Sequence, residues 1–252
     1  MARIAAISDI HGNSLALQAV RKAVDAARPD YVAICGDLVM NGPDPVGALA
    51  VVRELERAGA YVILGNTDLA VADEDFTAAF PWFSDGAPDS YRRAAEWARD
   101  QIGDDGVDYL RHLPWERRLR VPDGTESGTL LLFCHGSPGS LTDGLPADLD
   151  PVVTIDRVSN TDAKVIVCGH THLPEVREVG WRTIVNDGSA GYVFDGDPTA
   201  SWALIDVDED GVRAEIHRTS YDVMAASDAV SARGLPGDVY RAATIRTGKL
   251  VR

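Results

Sequence analysis

The chain has 252 residues, of which 45% are hydrophobic and 25% are charged, a composition typical of a folded globular protein. Its 24 basic and 39 acidic residues give a net charge of −15 at neutral pH. That charge argues against non-specific binding to nucleic acid and against docking on anionic membranes, because both depend on cationic surfaces.

The cysteine content and the length of the apolar stretches indicate the cellular compartment in which the protein is expected. Three cysteines are an odd number in a chain long enough to fold without disulfides, which indicates free thiols in a reducing compartment. The apolar run at the start of the sequence is too short for a signal peptide, and no stretch approaches the roughly 20 apolar residues of a membrane span. We therefore expect a cytoplasmic protein that neither associates with a membrane nor binds nucleic acid stably. Its oligomeric state stays open, a homo-oligomer included.

The first part of the chain alternates between buried strands and amphipathic helices. The apolar spacing of residues 15–27 predicts a first helix, which Asn13 or Ser14 can cap. Asp44 and Pro45 are typical of the cap and first turn of a second helix. This alternation indicates a largely parallel sheet covered by helices. Five short runs rich in Ile, Val and Leu are the predicted strands: 4–7, 31–35, 61–64, 130–134 and 164–168.

Residues 68–114 interrupt this alternation. They hold an aromatic cluster at 76–83 and then a helical pattern, and we expect a helical insertion or cap within a single domain spanning residues 1–252. The aromatic residues either form a small core of their own, which is the more common arrangement, or stack a nucleobase.

The pattern changes again beyond residue 174. Short runs at 175–185, 191–194, 201–207 and 212–218 are separated by Asp195-Gly196 and Asp210-Gly211, which predict hairpin turns. The pattern alone is explained most simply by one α/β domain whose single sheet is antiparallel in its C-terminal part. Two further helices are predicted near 222–233 and 237–246.

Polar side chains follow all five predicted strands, mostly beside a glycine. Because ligands bind at the carboxyl ends of strands in open α/β sheets, these side chains mark one site. Residues at i and i+2 of an extended chain point the same way, so we expect Asp9 with His11, and His170 with His172, to converge. This set of carboxylate, amide and imidazole groups suits Mn, Fe, Zn, Co or Ni, and its size suits two ions that share a carboxylate. The seven candidate ligands are Asp9, His11, Asp37, Asn66, His135, His170 and His172.

The order and spacing of these residues resemble the motifs of the calcineurin-like metallophosphoesterases. That family has Asp-x-His, Gly-Asp, Gly-Asn-His-Asp/Glu, a lone His-Gly and Gly-His-x-His in this order. One such block is weak evidence, but five in order are specific. The corresponding blocks here are Asp9-Ile10-His11, Gly36-Asp37, Gly65-Asn66-Thr67-Asp68, His135-Gly136 and Gly169-His170-Thr171-His172. Asn186-Asp187-Gly188-Ser189 extends the resemblance to about residue 190, although the family often has Pro in place of Asp187.

The resemblance implies a fold, a cofactor and a role for each ligand. The fold would be mixed α/β (α+β), a metallophosphoesterase-type two-sheet β-sandwich flanked by helices. Asp9, His11 and His172 would bind one ion, Asn66, His135 and His170 the other, and Asp37 would bridge them. The cofactors would be two divalent or mixed-valence transition-metal ions (Mn, Fe, Zn, Co or Ni), and a hydroxide bridging them would attack phosphorus.

The third block departs from the family, because Thr67 stands where the family has a histidine thought to protonate the leaving oxygen. A threonine hydroxyl can donate a hydrogen bond but cannot act as a general acid near neutral pH. Asp68 is expected to orient the site or to cap the following helix. His112, in the expected cap, could supply the missing proton, although a structural role is more common for a lone histidine. The candidate catalytic residues are therefore Asp68, Thr67 and His112.

A site without a general acid favours esters with good or strained leaving groups. We therefore expect a metal-dependent phosphoric ester hydrolase that favours phosphodiesters and acts on a small-molecule or nucleotide phosphoester. A phosphomonoesterase of the same family is the alternative. The net charge of −15 disfavours a nuclease. A non-catalytic interaction scaffold is disfavoured because all seven candidate ligands are present.

Overall fold

The computed structural model describes residues 1–252 and begins with the predicted alternation of strands and helices. Three neighbouring parallel strands form one side of the five-stranded first sheet, and two helices connect them. These elements are β1 (Ala2–Ile7), α1 (Ser14–Ala27), β2 (Tyr31–Cys35), α2 (Pro45–Arg57) and β3 (Tyr61–Ile63).

The two predicted helix caps are confirmed. The side chain of Asn13 accepts a hydrogen bond from the amide of Ala16 at the start of α1. The carboxylate of Asp44 accepts one from the amide of Gly47, and Pro45 is the first residue of α2. Both caps satisfy amides that have no partner within their own helix.

Residues 68–114 are mainly helical, and they pack against the helical face of the first sheet. The long helix breaks at Gly103, where φ is 63°, and its buried alanines pack against the helices on that face. The helices are α3 (Asn66–Asp73), α4 (Phe76–Ala79) and α5 (Asp89–Arg111). No helix of the protein combines the length and the apolar character needed to cross a membrane.

The middle of the chain forms a second sheet with strand order β4-β5-β6-β8-β7. β5, β6 and β8 are parallel, and the two edge strands are antiparallel to their neighbours. The elements are β4 (Glu116–Val121), β5 (Thr129–Cys134), α6 (Pro151–Val158), β6 (Val165–Cys168), β7 (Glu175–Val179) and β8 (Arg182–Asn186).

The C-terminal part returns to the first sheet, whose order is β10-β9-β1-β2-β3. The hairpin predicted at Asp210-Gly211 is confirmed, but the one at Asp195-Gly196 is wrong. Residues 191–194 form no strand, because their amides bond to loops: Gly191 donates to the carbonyl of Asp9. The elements are β9 (Ala200–Asp208), β10 (Gly211–Thr219), α7 (Val223–Arg233) and α8 (Asp238–Thr247).

The presence of two sheets corrects the simplest account of a single sheet. Alternate residues of β1 face opposite ways: Ile4 and Ala6 pack against the second sheet, whereas Ala5 and Ile7 pack under the helices. Short apolar runs show that strands are buried on both faces, but they do not show which strands are neighbours. The observed fold is the two-sheet sandwich flanked by helices that the resemblance implies.

Phe133 on β5 tests the contact between the two sheets. Its ring is fully buried and lies 5.8 Å, between centroids, from that of Tyr61 on β3. Phe133→Ala should lower the free energy of unfolding by about 3–5 kcal/mol, because a cavity would remain between the sheets. Phe133→Leu should cost less than about 2 kcal/mol. Urea denaturation measures both, and equally small effects would contradict this packing.

Candidate metal centre

The candidate ligands lie in tight turns that directly follow the strands. Asp9 and His11 follow β1, Asp37 follows β2, and His170 and His172 follow β6; all five have φ between 52° and 67°. The extended-chain explanation for the two ligand pairs is therefore wrong, because each pair is set by left-handed residues. Left-handed backbone conformations are unfavourable for residues other than glycine, and where they occur they cluster at functional sites.

One group of donors contains Asp9, His11, His172 and one carboxylate oxygen of Asp37. Nε2 of His172 lies 3.2 Å from Oδ1 of Asp9 and 3.3 Å from Nε2 of His11. Nε2 of His11 lies 3.5 Å from Oδ2 of Asp37. All four side chains are buried, and Oδ1 of Asp9 has no hydrogen-bond donor. A buried carboxylate oxygen without a donor is the kind of atom that a cation satisfies.

A second group of donors contains Asn66 at the start of α3, His135 after β5, and His170. Nε2 of His135 and Nδ1 of His170 each lie 3.0 Å from Oδ1 of Asn66, and they lie 3.3 Å from each other. Oδ1 of Asp37 is 3.4 Å from Nε2 of His135. Asp37 therefore faces one group with Oδ2 and the other with Oδ1, as a carboxylate shared by two cations would.

Hydrogen bonds determine which nitrogen of three imidazoles is free. Nδ1 of each of His11, His135 and His172 faces a backbone carbonyl oxygen. Because a carbonyl only accepts, Nδ1 carries a hydrogen, which leaves Nε2 as the nitrogen that can present a lone pair to a cation. Ligand atoms at about 2.0–2.2 Å from one ion would lie about 3–3.5 Å apart, which agrees with the spacing here. The three carbonyls belong to Met40, Cys35 and Tyr192, in that order.

Burial and mutual charge set the protonation of the cluster. Burial raises the pKa of Asp9, but the charge of His172 and the close approach of the neighbouring histidines together outweigh burial and hold that pKa well below its usual value. Burial lowers the pKa of His135, but the charges of Asp37 and Asp9 and a backbone hydrogen bond together outweigh burial and raise that pKa. Burial and the charge of His135 lower the pKa of His170 to about 4. The shifts at Asp9 and His170 favour the forms that bind metal, whereas the raised pKa of His135 favours a proton that a bound cation would displace.

Asp187, at the position where the family often has Pro, is buried behind Asp9. The hydroxyl of Ser8 donates to Oδ2 of Asp9 at 2.6 Å and also contacts Oδ1 of Asp187. Burial raises the pKa of Asp187 well above its usual value. The glycine at 169 is required here, because a Cβ on Gly169 would collide with Ser8 and Asp9.

Thr67 and Asp68 occupy different sides of the cluster. Thr67 lines the cavity above the donors, and its buried hydroxyl has no hydrogen-bond partner. The carboxylate of Asp68 instead accepts from the amides of Leu38, at 2.8 Å, and Gly65, at 3.1 Å. It therefore caps α3 and holds the turn that carries Asp37. Burial, and then the charge of Asp37, raise the pKa of Asp68 to about 7.

The structure does not bring His112 to this site, which corrects its assignment as a proton donor. The side chain is exposed at the end of α5, and its Nδ1 lies 2.7 Å from the carbonyl oxygen of Asp108 on the same helix. The opposite end of α5, at Ser90 and Tyr91, borders the cavity instead. The position of His112 within residues 68–114 does not show which end of α5 faces the donors.

A cavity of about 540 Å³ opens over the cluster, and its wall includes residues that sequence reasoning missed. Arg241 on α8 donates from Nε to Oδ1 of Asn41 at 3.0 Å. Nδ2 of Asn41 lies 3.4 Å from Nδ1 of His11. Nothing in the sequence signals this link, because 200 residues separate Asn41 from Arg241 and neither belongs to a motif block.

Comparisons with known proteins agree with this geometry. Residues 2–210 match the model of the calcineurin-like phosphoesterase superfamily domain. The chain is 26% identical over 250 residues to an uncharacterized protein of Methanocaldococcus jannaschii, covering 92% of this chain and 93% of that protein. Its structure is similar to that of a metallophosphoesterase from Sphaerobacter thermophilus, with a TM-score of 0.73, 27% identity and coverage of 98% and 99%. A hypothetical protein from Pyrococcus horikoshii shares the fold, with a TM-score of 0.82, 21% identity and coverage of 98% and 99%.

Asp37→Asn tests whether the shared carboxylate holds cations. The substitution removes a charge and one of the two oxygens that face the donor groups, so it should weaken metal binding by more than about tenfold. Metal content after reconstitution and dialysis measures the effect. Asp73→Asn is the matched control, because that carboxylate is exposed and pairs only with Arg111. Unchanged metal content in Asp37→Asn would contradict the assignment.

Proposed function

The chain belongs to the calcineurin-like phosphoesterase superfamily, and within it we propose a metal-dependent hydrolase that favours phosphodiesters. Bound cations would supply Lewis-acid activation of water and would stabilise charge on the phosphoryl oxygens. Asp37 would be shared by two of them. One cation would be held by Asp9, His11 and His172, and the other by Asn66, His135 and His170.

The contribution of the protein is to hold these donors in place before substrate arrives. The amide of His170 donates to Oδ2 of Asp9 at 2.8 Å, which leaves Oδ1 to face the cluster. Nδ2 of Asn66 donates to the carbonyl of Ala79 at 3.0 Å, which turns its Oδ1 towards the histidines. Donors fixed in this way need little rearrangement during the reaction, which is the condition for strong electrostatic stabilisation.

The observation that carries the choice of a diester is that Thr67, and not a histidine, lines the cavity beside the donors. Its hydroxyl is buried and cannot protonate a leaving group. The cavity also offers few cations, since Arg241 already donates four hydrogen bonds to protein atoms and only Arg252 remains. A phosphomonoester would therefore have only Arg252 to pair with its second negative charge, which supports a singly charged diester.

A direct comparison of two model substrates tests this proposal. Metal-stripped protein would be reconstituted with Mn, Fe, Zn, Co or Ni in turn, and hydrolysis of bis(p-nitrophenyl) phosphate and p-nitrophenyl phosphate measured. We expect metal-dependent kcat/KM for the diester to exceed that for the monoester by at least about tenfold. Preference for the monoester would identify a phosphomonoesterase instead. Absence of turnover with bound cations would favour a non-catalytic scaffold.

Thr67→His tests the role of the missing histidine. An imidazole at this position can protonate a leaving oxygen, so hydrolysis of diesters with poor alkyl leaving groups should rise by at least about tenfold. Hydrolysis of p-nitrophenyl diesters, whose leaving group needs no proton, should change by less than about threefold. Thr67→Val, which removes the hydroxyl at nearly constant volume, is the control and should raise neither rate. Equal changes for both leaving groups in Thr67→His would contradict the argument.

A further inference from the structure

The cavity wall beyond the donors is unusually aromatic. Of its 21 lining residues, seven are Phe, Trp or Tyr, although these residue types make up only 7% of the chain. The segment around α4 and α5 contributes some of them and α8 contributes Tyr240. An apolar wall with few charged groups suits a flat organic group better than a second phosphate or an extended polar chain.

The aromatic cluster of residues 76–83 divides into two parts. Phe80 is only 2% exposed, and its ring packs edge-on against that of Tyr91 at 5.1 Å. Phe83 packs on the same ring at 5.2 Å, so these residues form the predicted small core. Trp82 contacts the edge of that core, with its ring centroid 5.7 Å from that of Phe80, but it is 51% exposed and lines the cavity. Packing within the small core therefore does not explain why the Trp82 side chain lies at the cavity.

Trp82 lies directly beside the donor groups. Its ring centroid is 6.1 Å from that of His170. Tyr240 on α8 lines the same cavity and is 49% exposed, so a second aromatic ring is available from another segment. A ring joined to phosphorus through a short ester link would thus reach an exposed indole while its phosphoryl group faces the donors.

We propose that Trp82 is a specificity-determining residue that stacks on a planar aromatic ring, aryl or nucleobase, carried by the phosphoester substrate. The inference rests on the proposed function only for the place of the phosphoryl group. Stacking on an indole accepts any flat ring and depends little on hydrogen-bonding pattern. The cavity volume of about 540 Å³ is sufficient for a ligand of nucleotide size.

Binding of phosphinates tests the proposal without turnover, because both of their carbon–phosphorus bonds resist hydrolysis and they carry the single negative charge of a diester. Calorimetry on metal-loaded protein would compare dimethylphosphinate, methyl(phenyl)phosphinate and an acyclic adenine nucleoside methylphosphinate, which share the same anionic head. We expect the better of the two ring-bearing ligands to bind at least about tenfold more tightly than dimethylphosphinate. Which of them is better distinguishes a nucleobase from a simple aryl group.

Three variants assign this preference to Trp82. Trp82→Ala should bring the affinity ratio between ring-bearing and methyl ligands close to one, while Trp82→Phe should retain most of it. Trp181→Ala is the matched control, because Trp181 is 55% exposed on the turn between β7 and β8, and it should keep the full ratio.

The outcomes separate the two proposals. Equal affinity of all three ligands for the unaltered protein, or an unchanged ratio in Trp82→Ala, would overturn the role of Trp82 and leave the proposed function standing. Failure of dimethylphosphinate and the ring-bearing ligands alike to bind in a metal-dependent way would instead count against the proposed function.

Discussion

Two buried carboxylates, Asp9 and Asp37, impose the constraint on which the rest of this structure depends. Their ion-pair partners are histidines only. Moving a carboxylate from water into the protein interior costs several kcal/mol unless an opposite charge compensates it. Protonated histidines compensate it in part, and a divalent cation bound by the neutral imidazoles would take over that role. Metal affinity and folding stability should therefore be coupled.

The backbone of the site is also held in unfavourable conformations, and hydrogen bonds between the turns stabilise them. Five ligands adopt left-handed conformations, each of which costs on the order of 1–3 kcal/mol for a residue with a side chain. The turns compensate by bonding to one another. The amide of His11 donates to the carbonyl of Asp37 at 2.8 Å, and that of Gly169 donates to the carbonyl of His135 at 3.0 Å. The amide of His170, on the second sheet, donates to Asp9 on the first, so the cluster also connects the two sheets.

The sequence was sufficient wherever the information is local. Apolar runs and cap residues such as Asp44 depend on neighbours within a few positions, so the strands and first helices were predicted closely. The motif blocks likewise identified the candidate ligands that the structure brings together, although these residues converge through left-handed turns and not through extended chain. Predictions failed where the answer depends on distant partners: the division into two sheets, the loop at 191–194, and the end of α5 at which His112 lies. The contact between Asn41 and Arg241 is of the same kind, because no local pattern encodes it.

The candidate ligands come from one part of the chain, whereas the cavity wall draws on two. All seven candidate ligands lie within the part that matches the superfamily model, residues 2–210, whereas α8 and residues 250–252 lie beyond it and line the cavity. Arg241 anchors α8 through the carbonyl of Ser90 and the side chain of Asn41. α8 also packs against Tyr192, whose carbonyl oxygen faces Nδ1 of His172. This helix therefore borders both the cavity and the turns that carry the candidate ligands. The donor cluster consequently indicates the class of reaction, while the shape and aromatic character of the wall indicate the group attached to phosphorus.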